Sequence, residues 1–302
     1  MASHVKDKIY VVGYPRSGTT MMAGILSANI YSEAAPETNF INDFLARRIS
    51  RFNLQFCSAD VASYPRIADM NINLPKSINS SSGYLSSFEI LLDSFKGVEK
   101  VKYIIEKTPR HYEYIDILIG SPTLRKIVVV VRDPRATILS NINAEFRDNK
   151  DASWMALDWV YFSRQIRNFS NLDVVVPVKY EDVVTSPDTV ITWLYKQCGL
   201  PPDSYDISQS TGRHIPEWEC AWKSKTIHPD SKSLSSWKRE LSCDQIRKIE
   251  SICADEMKYW GYHSEHTVNR VKKFLTFFSN NLYFIKRLYK LCLTRTVVKL
   301  WR

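Results

Sequence analysis

Four apolar runs with almost no polar interruption organise the chain: Ile9–Gly13, Tyr103–Glu106, Ile127–Arg132 and Val174–Lys179. They are too short for helices and rich in β-branched residues, so they read as strands; Ile30–Ala34 is a weaker fifth. The stretch KIVVVVR, from Lys126 to Arg132, lacks the alternation of a strand with one wet face. It is expected to be buried on both faces. Between these runs, apolar positions recur with helical period over Thr19–Ala28, Phe40–Phe56, Tyr84–Phe95, Tyr112–Ile119, Arg135–Arg147, Trp154–Asn168, Pro187–Cys198 and Asp244–Tyr259. Strands alternating with helices predict an α/β fold, a doubly wound parallel sheet of about five strands. In such sheets ligands bind beyond the carboxyl ends of the strands. NINLPKSINSSSG, residues 71–83, is polar and turn-rich and reads as a loop or lid within a lid-like region, residues 57–100.

Composition adds little until charge is located. The 302 residues are 44% hydrophobic and 24% charged, which is ordinary for a globular chain with ample core. The net charge of +9 is concentrated at one end: residues 265–302 hold nine bases and one acid, leaving the rest at +1. A nucleic-acid-binding body is therefore not expected. We divide the chain into a body, residues 1–264, and a basic amphipathic helical extension, residues 265–302. The longest charge-free run in the extension, Phe274–Ile285, is 12 residues, too short as a helix for a hydrocarbon core of about 30 Å. It could pack on the body or lie on an anionic membrane, and the clustered charge tips the expectation to membrane contact. MASHVKDKIYVVG enters the first strand with no secretory leader, which gives a cytoplasmic expectation, peripheral at most on the inner membrane face. The six cysteines form no C-x-x-C and have no paired histidines, so free thiols are expected and zinc is not.

Candidate chemistry lies at the strand ends. After the first strand, YPRSGTT (Tyr14–Thr20) has the glycine spacing of a phosphate loop, with Gly13 and Gly18 bracketing four residues. Thr19 stands where a nucleoside-triphosphate loop has lysine. Glycines and a helix N-terminus still offer N–H groups to an anion, and Arg16 adds a planar fork for phosphate or sulfonate oxygens. Lys107, in EKTPRH, lies just past the second run. Thr108-Pro109 opens a helix, and His111 reads as a surface or capping residue. Arg132 ends the most buried strand, with Ser140 eight residues further on, a pair suited to a second anion. Asp133 reads as the cap of the helix begun by Pro134, not as a magnesium ligand.

Two anion sites at neighbouring strand ends, without a phosphate-loop lysine or a metal acid, resemble the sulfotransferase family. YPRSGTT is similar to the family's 5′-phosphosulfate loop, and RDPRATILS to its 3′-phosphate motif. EKTPRH, VKYEDVVTSP and SLSSWKREL extend the likeness over about residues 8–262. The resemblance implies a P-loop-like sulfotransferase fold and 3′-phosphoadenosine 5′-phosphosulfate as donor, with no metal. It places Arg16, Ser17, Gly18, Thr19 and Thr20 on the donor's 5′ end and Arg132 and Ser140 on its 3′-phosphate. It also sets Tyr180 and Trp237 near the adenine, with Ser236 and Lys238 near the 3′-phosphate; Trp237 could equally be plain core. Arginine in the loop and Met21 after it look closer to the carbohydrate and tyrosyl-protein branch, in which a glutamate shortly after the first helix is the base. APETNF puts Glu37 there, with Arg16 and Lys107 as its catalytic companions. A sugar or glycolipid hydroxyl is the first expected acceptor, and a protein tyrosine or small metabolite the second. A kinase or a non-catalytic nucleotide-binding protein stays open as another class.

Overall fold

The valine run forms an interior strand of the sheet, one in from its edge. In the computed structural model, which describes residues 6–68, 72–95, 101–144, 150–204, 231–266 and 281–300, the strands are β1 (Asp7–Gly13), β2 (Ser32–Ala34), β3 (Tyr103–Lys107), β4 (Leu124–Val131) and β5 (Val175–Lys179). They form one five-stranded sheet in the order β2-β3-β1-β4-β5, and every pairing is parallel. Ile127, Val129 and Val131 face a core built with Phe88, Trp159, Phe162 and Ile249. Val128 and Val130 face a second core with Met21, Leu26, Ile191 and Leu194. Helices therefore cover both faces, which is why β4 shows no alternation.

Local chemistry explains the helix ends. Asp151 accepts from the backbone N–H groups of Ser153 and Trp154 and starts the Ala152–Arg167 helix. Ser242 and Gln245 form a reciprocal capping box ahead of Cys243–Tyr259. Pro187 opens the helix that follows β5 and the short Tyr180–Thr185 helix, and Gly199, at φ 70°, closes it at Cys198.

Two expected helices are differently built. Phe40–Phe56 is a π-helical turn, Phe40–Leu45, followed by a short α-helix, Ala46–Ser50. Arg48 then donates to the Asn53 side chain and the Gln55 carbonyl, turning the chain back. Phe56 thereby reaches Phe44 edge-on, with ring centroids 5.6 Å apart, which a continuous helix would prevent. Tyr112–Ile119 begins earlier, as a 3₁₀ turn over Pro109–Tyr114 that passes into Ile115–Leu118. Residues 111–115 are all buried, so no wet stripe dictates the α period there. Arg135–Arg147 is seen as Pro134–Ile142, and residues 145–149 lie outside the described residues.

The 57–100 region is less lid-like than expected. Its described part carries helices at Ser58–Ala62, Pro65–Ala68 and Tyr84–Asp93, and Val61, Ile67, Ile78 and Phe88 are buried in the main core. The C-terminal extension also departs from expectation. Asn281–Leu300 is a helix that buries Leu291, Thr294 and Val298, an i, i+3, i+7 stripe. Arg295 donates to the Glu113 carbonyl and to Gln165, and Lys299 pairs with Asp116 at 2.6 Å. Membrane contact is thus displaced by packing on the body for this part of the extension. Most of Phe274–Ile285 lies outside the described residues. Among the described residues no helix is long and apolar enough to cross a membrane. Cys57, Cys198, Cys243 and Cys292 are free thiols, the Cys253 thiol donates to the Ala156 carbonyl, and Cys220 lies outside the described residues.

Candidate active site

Because all five strands run the same way, their carboxyl ends share one edge of the sheet. Along that edge Glu37 follows β2, Lys107 ends β3, Tyr14–Thr20 follows β1, Arg132 follows β4 and Tyr180 follows β5.

The loop after β1 is tightly wound. The Ser17 N–H donates to the Tyr14 carbonyl at 3.0 Å, and both Arg16 (φ 71°) and Gly18 (φ 101°) are left-handed. Gly18 is required twice over. A side chain there would strain the backbone, and its Cβ would lie 2.4 Å from the Tyr180 ring. Gly13 is confined too, since a Cβ would come within 2.7 Å of Ser17 Oγ and the Val130 carbonyl. The Thr19–Ser27 helix starts here with no side-chain cap, so its first N–H groups are left for a ligand. Ser17 is 1% exposed, and its Oγ has no hydrogen-bond partner among the described residues. A buried hydroxyl beside uncapped N–H groups is suited to an anion.

The residues expected to meet a second anion lie one strand over. Arg132 donates from Nη1 to the Arg16 carbonyl (3.2 Å) and from Nη2 to the Ser233 carbonyl (3.0 Å), while its guanidinium lies 4.2 Å above the Tyr180 ring. Its Nε is buried with no partner among the described residues. Asp133 caps the following helix by accepting from the Arg135 N–H at 2.8 Å, as expected, and its other oxygen pairs with Arg135. Behind this turn, Glu181 accepts from the Asp133 N–H and from the Tyr262 hydroxyl. Burial raises the Glu181 carboxyl above the ordinary range against those two donors.

The structure regroups several expected residues. Ser140 accepts from Arg16 Nε at 3.2 Å, so it belongs with the loop arginine as much as with Arg132. Tyr180 covers Gly18 and Arg132, and its hydroxyl meets Ser233 Oγ at 2.9 Å. Arg132 reaches the SLSSWKREL segment through Ser233, a residue the motif reading passed over. Ser236 stands at the N-cap of Trp237–Glu240. Trp237 is 3% exposed, with Arg135 3.9 Å above its ring, and Lys238 pairs with Glu265 at 2.5 Å. These three hold the segment that carries Ser233. Only its backbone position, three residues before the expected serine, could have flagged it.

On the other side of the loop, Lys107 forms an ion pair with Glu37 Oε2, and both side chains are largely buried. Asn39 Nδ2 donates to Glu37 Oε1 at 3.2 Å. The expected surface histidine, His111, is instead fully buried and bonded to Glu106 at 3.1 Å. It fills the core side of the turn because Phe88 packs edge-on against it. Among the described residues no three His, Cys, Asp or Glu side chains converge as a metal site.

Comparisons with known proteins agree with this geometry. The family model described as "Sulfotransferase family" matches residues 8–204. Mouse carbohydrate sulfotransferase 5 is 27% identical over 181 residues, which are 50% of this chain but 45% of that protein. Zebrafish protein-tyrosine sulfotransferase 1 is 22% identical over 270 residues, 84% of this chain and 72% of the relative. Among solved structures, the sulfotransferase domain of the curacin biosynthetic pathway superposes with a TM-score of 0.54 at 19% identity, covering 86% of this chain and 99% of that one. A mouse sulfotransferase in complex with PAP gives 0.52 at 13% identity, covering 83% and 85%. With a family model spanning most of the sheet and its strand-end motifs, the chain belongs to the sulfotransferase family.

Proposed function

We propose that the protein transfers a sulfuryl group from 3′-phosphoadenosine 5′-phosphosulfate to a carbohydrate hydroxyl. One observation carries the choice of donor. Two buried polar atoms without partners among the described residues, Ser17 Oγ and Arg132 Nε, stand at neighbouring strand ends, and such a donor has two separate anionic ends. The residues present fit it. The solved relative bound to PAP supports the same reading.

When bound, the donor supplies a sulfuryl group activated by its 5′-phosphate. The Ser17 hydroxyl and the N–H groups from Gly18 to Thr20 hold that phosphate, and Arg132 holds the 3′-phosphate beside Tyr180. Glu37 takes the proton from the acceptor hydroxyl as the new S–O bond forms; an ion-paired carboxylate is already in the state a base needs. Lys107 and Arg16 neutralise the charge growing on the oxygen that departs with adenosine 3′,5′-bisphosphate. Transfer of this kind has a loose transition state, so positioning and charge do most of the work. One sulfonate presents less charge than a triphosphate, which accounts for a loop that works without the lysine.

The mouse carbohydrate sulfotransferase supports a sugar acceptor, and the wider coverage of the zebrafish protein-tyrosine sulfotransferase makes a protein tyrosine the second reading. Labelled donor is offered with pooled oligosaccharides, tyrosine-containing acidic peptides and hydroxylated small molecules, and with labelled ATP in parallel. Label from the sulfate donor in the oligosaccharide fraction is expected. Label from ATP alone would instead make the protein a kinase.

A further inference from the structure

Beneath the Glu37–Lys107 pair lies a closed polar cluster that the transfer chemistry does not use. Glu106, next to Lys107 on β3, is fully buried, as are Thr38, Thr108 and His111. One Glu106 oxygen accepts from His111 Nδ1 at 3.1 Å; the other accepts from the hydroxyls of Thr108 (2.5 Å) and Thr38 (3.3 Å). Both hydroxyls donate to Glu106, so their lone pairs face away. Those lone pairs meet two backbone donors: Thr108 Oγ1 takes the N–H of Asn39, and Thr38 Oγ1 takes the N–H of Phe40, each at 3.3 Å. The peptide groups just beyond Glu37 are thereby tied to the end of β3.

Asn39 passes this constraint to the base. It is left-handed, at φ 49°, a conformation asparagine tolerates better than most residues, and the π-helical turn begins from it. Its Nδ2 donates to Glu37 Oε1 while its Oδ1 accepts from Asn42 Nδ2 at 3.1 Å. Turning the amide over would set oxygen against carboxylate and nitrogen against nitrogen, so its direction is fixed. Lys107 holds the other Glu37 oxygen. During transfer, however, Lys107 is engaged with the departing oxygen, and the Asn39 contact stays.

We propose that Asn39 is the positioning residue of the Glu37 base, and that Glu106, through Thr38 and Thr108, holds Asn39 in the conformation in which it acts. This rests on the assignment of Glu37 as base.

The test uses full-length protein carrying Asn39→Gly, Asn39→Ala, Glu37→Gln, or Asn39→Gly with Glu37→Gln. Glycine keeps the left-handed backbone and removes only the amide, so folding and side-chain effects separate. Turnover is counted as adenosine 3′,5′-bisphosphate formed from the donor with pooled oligosaccharide present, which includes transfer to water. Asn39→Gly is expected to lower kcat about 10- to 100-fold, the scale of a misplaced reacting group. Donor KM and bisphosphate affinity should stay unchanged. In the Glu37→Gln background the same substitution should do nothing further, because there is no base left to position. A near-wild-type rate for Asn39→Gly beside a slow Asn39→Ala would reduce Asn39 to a backbone role and overturn the inference. So would donor affinity falling in step with kcat, or a further loss in the Glu37→Gln background. A fast Glu37→Gln enzyme would remove the base assignment itself, and this inference with it.

Discussion

Replacing Arg132 by alanine separates the two anion positions. The side chain is 7% exposed and holds three things at once: the Arg16 carbonyl, the Ser233 carbonyl and the face of Tyr180. Its loss disturbs the loop after β1 as well as removing a charge, so weaker binding of a single nucleotide would prove little. The informative quantity is a difference of differences. Adenosine 3′,5′-bisphosphate and adenosine 5′-phosphate both feel the loop, but only the first has a 3′-phosphate. Truncating one partner of a buried charge pair costs about 2–5 kcal/mol, or about 30- to 5,000-fold in affinity. Titration calorimetry of both nucleotides on both proteins should therefore show the wild-type preference for the bisphosphate shrinking by a factor in that range. Arg132→Lys, which keeps the charge but loses the fork, should fall between. If both nucleotides weaken by one common factor, Arg132 is a strut for Arg16 and Ser233, and the second anion position is wrong.

Four further outcomes follow from the same geometry. Glu37→Gln should lower turnover by about 10²–10⁴ while bisphosphate affinity holds within a few-fold in calorimetry; a near-wild-type rate would remove Glu37 as base. Gly18→Ala forces a left-handed alanine, at about 1–2 kcal/mol, and drives its methyl into Tyr180. Urea melts should show that loss together with abolished nucleotide binding, and an unchanged melt would contradict the loop geometry. Leu291→Ala should destabilise the fold by about 2–5 kcal/mol, and intact protein should not sediment with anionic liposomes; the reverse pair of results would restore the membrane reading. Burial pushes the Cys198 thiol up to about 12, so brief alkylation of native protein at mild alkaline pH should modify the exposed Cys57, Cys243 and Cys292 and spare Cys198 in peptide mapping.

Much of this was legible because strand ends announce themselves. A valine run with no alternation can only be a central strand, and fixing β4 also fixed Arg132 at its tip. YPRSGTT and Glu37 were readable for the same reason, since their spacing from β1 and from the first helix is local. The failures are where distant residues decide. Phe40–Phe56 has helical periodicity, but Arg48 reaching Gln55 and Phe56 returning to Phe44 break it. His111 reads as a surface or capping residue until Phe88, 23 positions earlier, packs edge-on against it and turns it inward to Glu106. Ser233 is a serine among serines, distinguished only by the fold that lays it against Arg132 and Tyr180. The basic extension misled for a related reason: composition counts charge, whereas Asp116 and the Glu113 carbonyl decide where Arg295 and Lys299 go.

The strand order also bears on how such a protein can diversify. β2 and β3 are sheet neighbours, yet residues 35–102 connect them, a far longer path than one crossover between adjacent parallel strands needs. The surplus chain hangs from the outer edge, on the side of Glu37 and Lys107, while the groups at the tips of β1, β4 and β5 are reached by other connections. Changes in the Ser58–Asp93 stretch that keep the buried Val61, Ile67, Ile78 and Phe88 can therefore remodel one half of the crevice while β1 and β4 keep their packing. A chimera that trades this connection between relatives would be expected to inherit nucleotide handling from one parent and acceptor preference from the other.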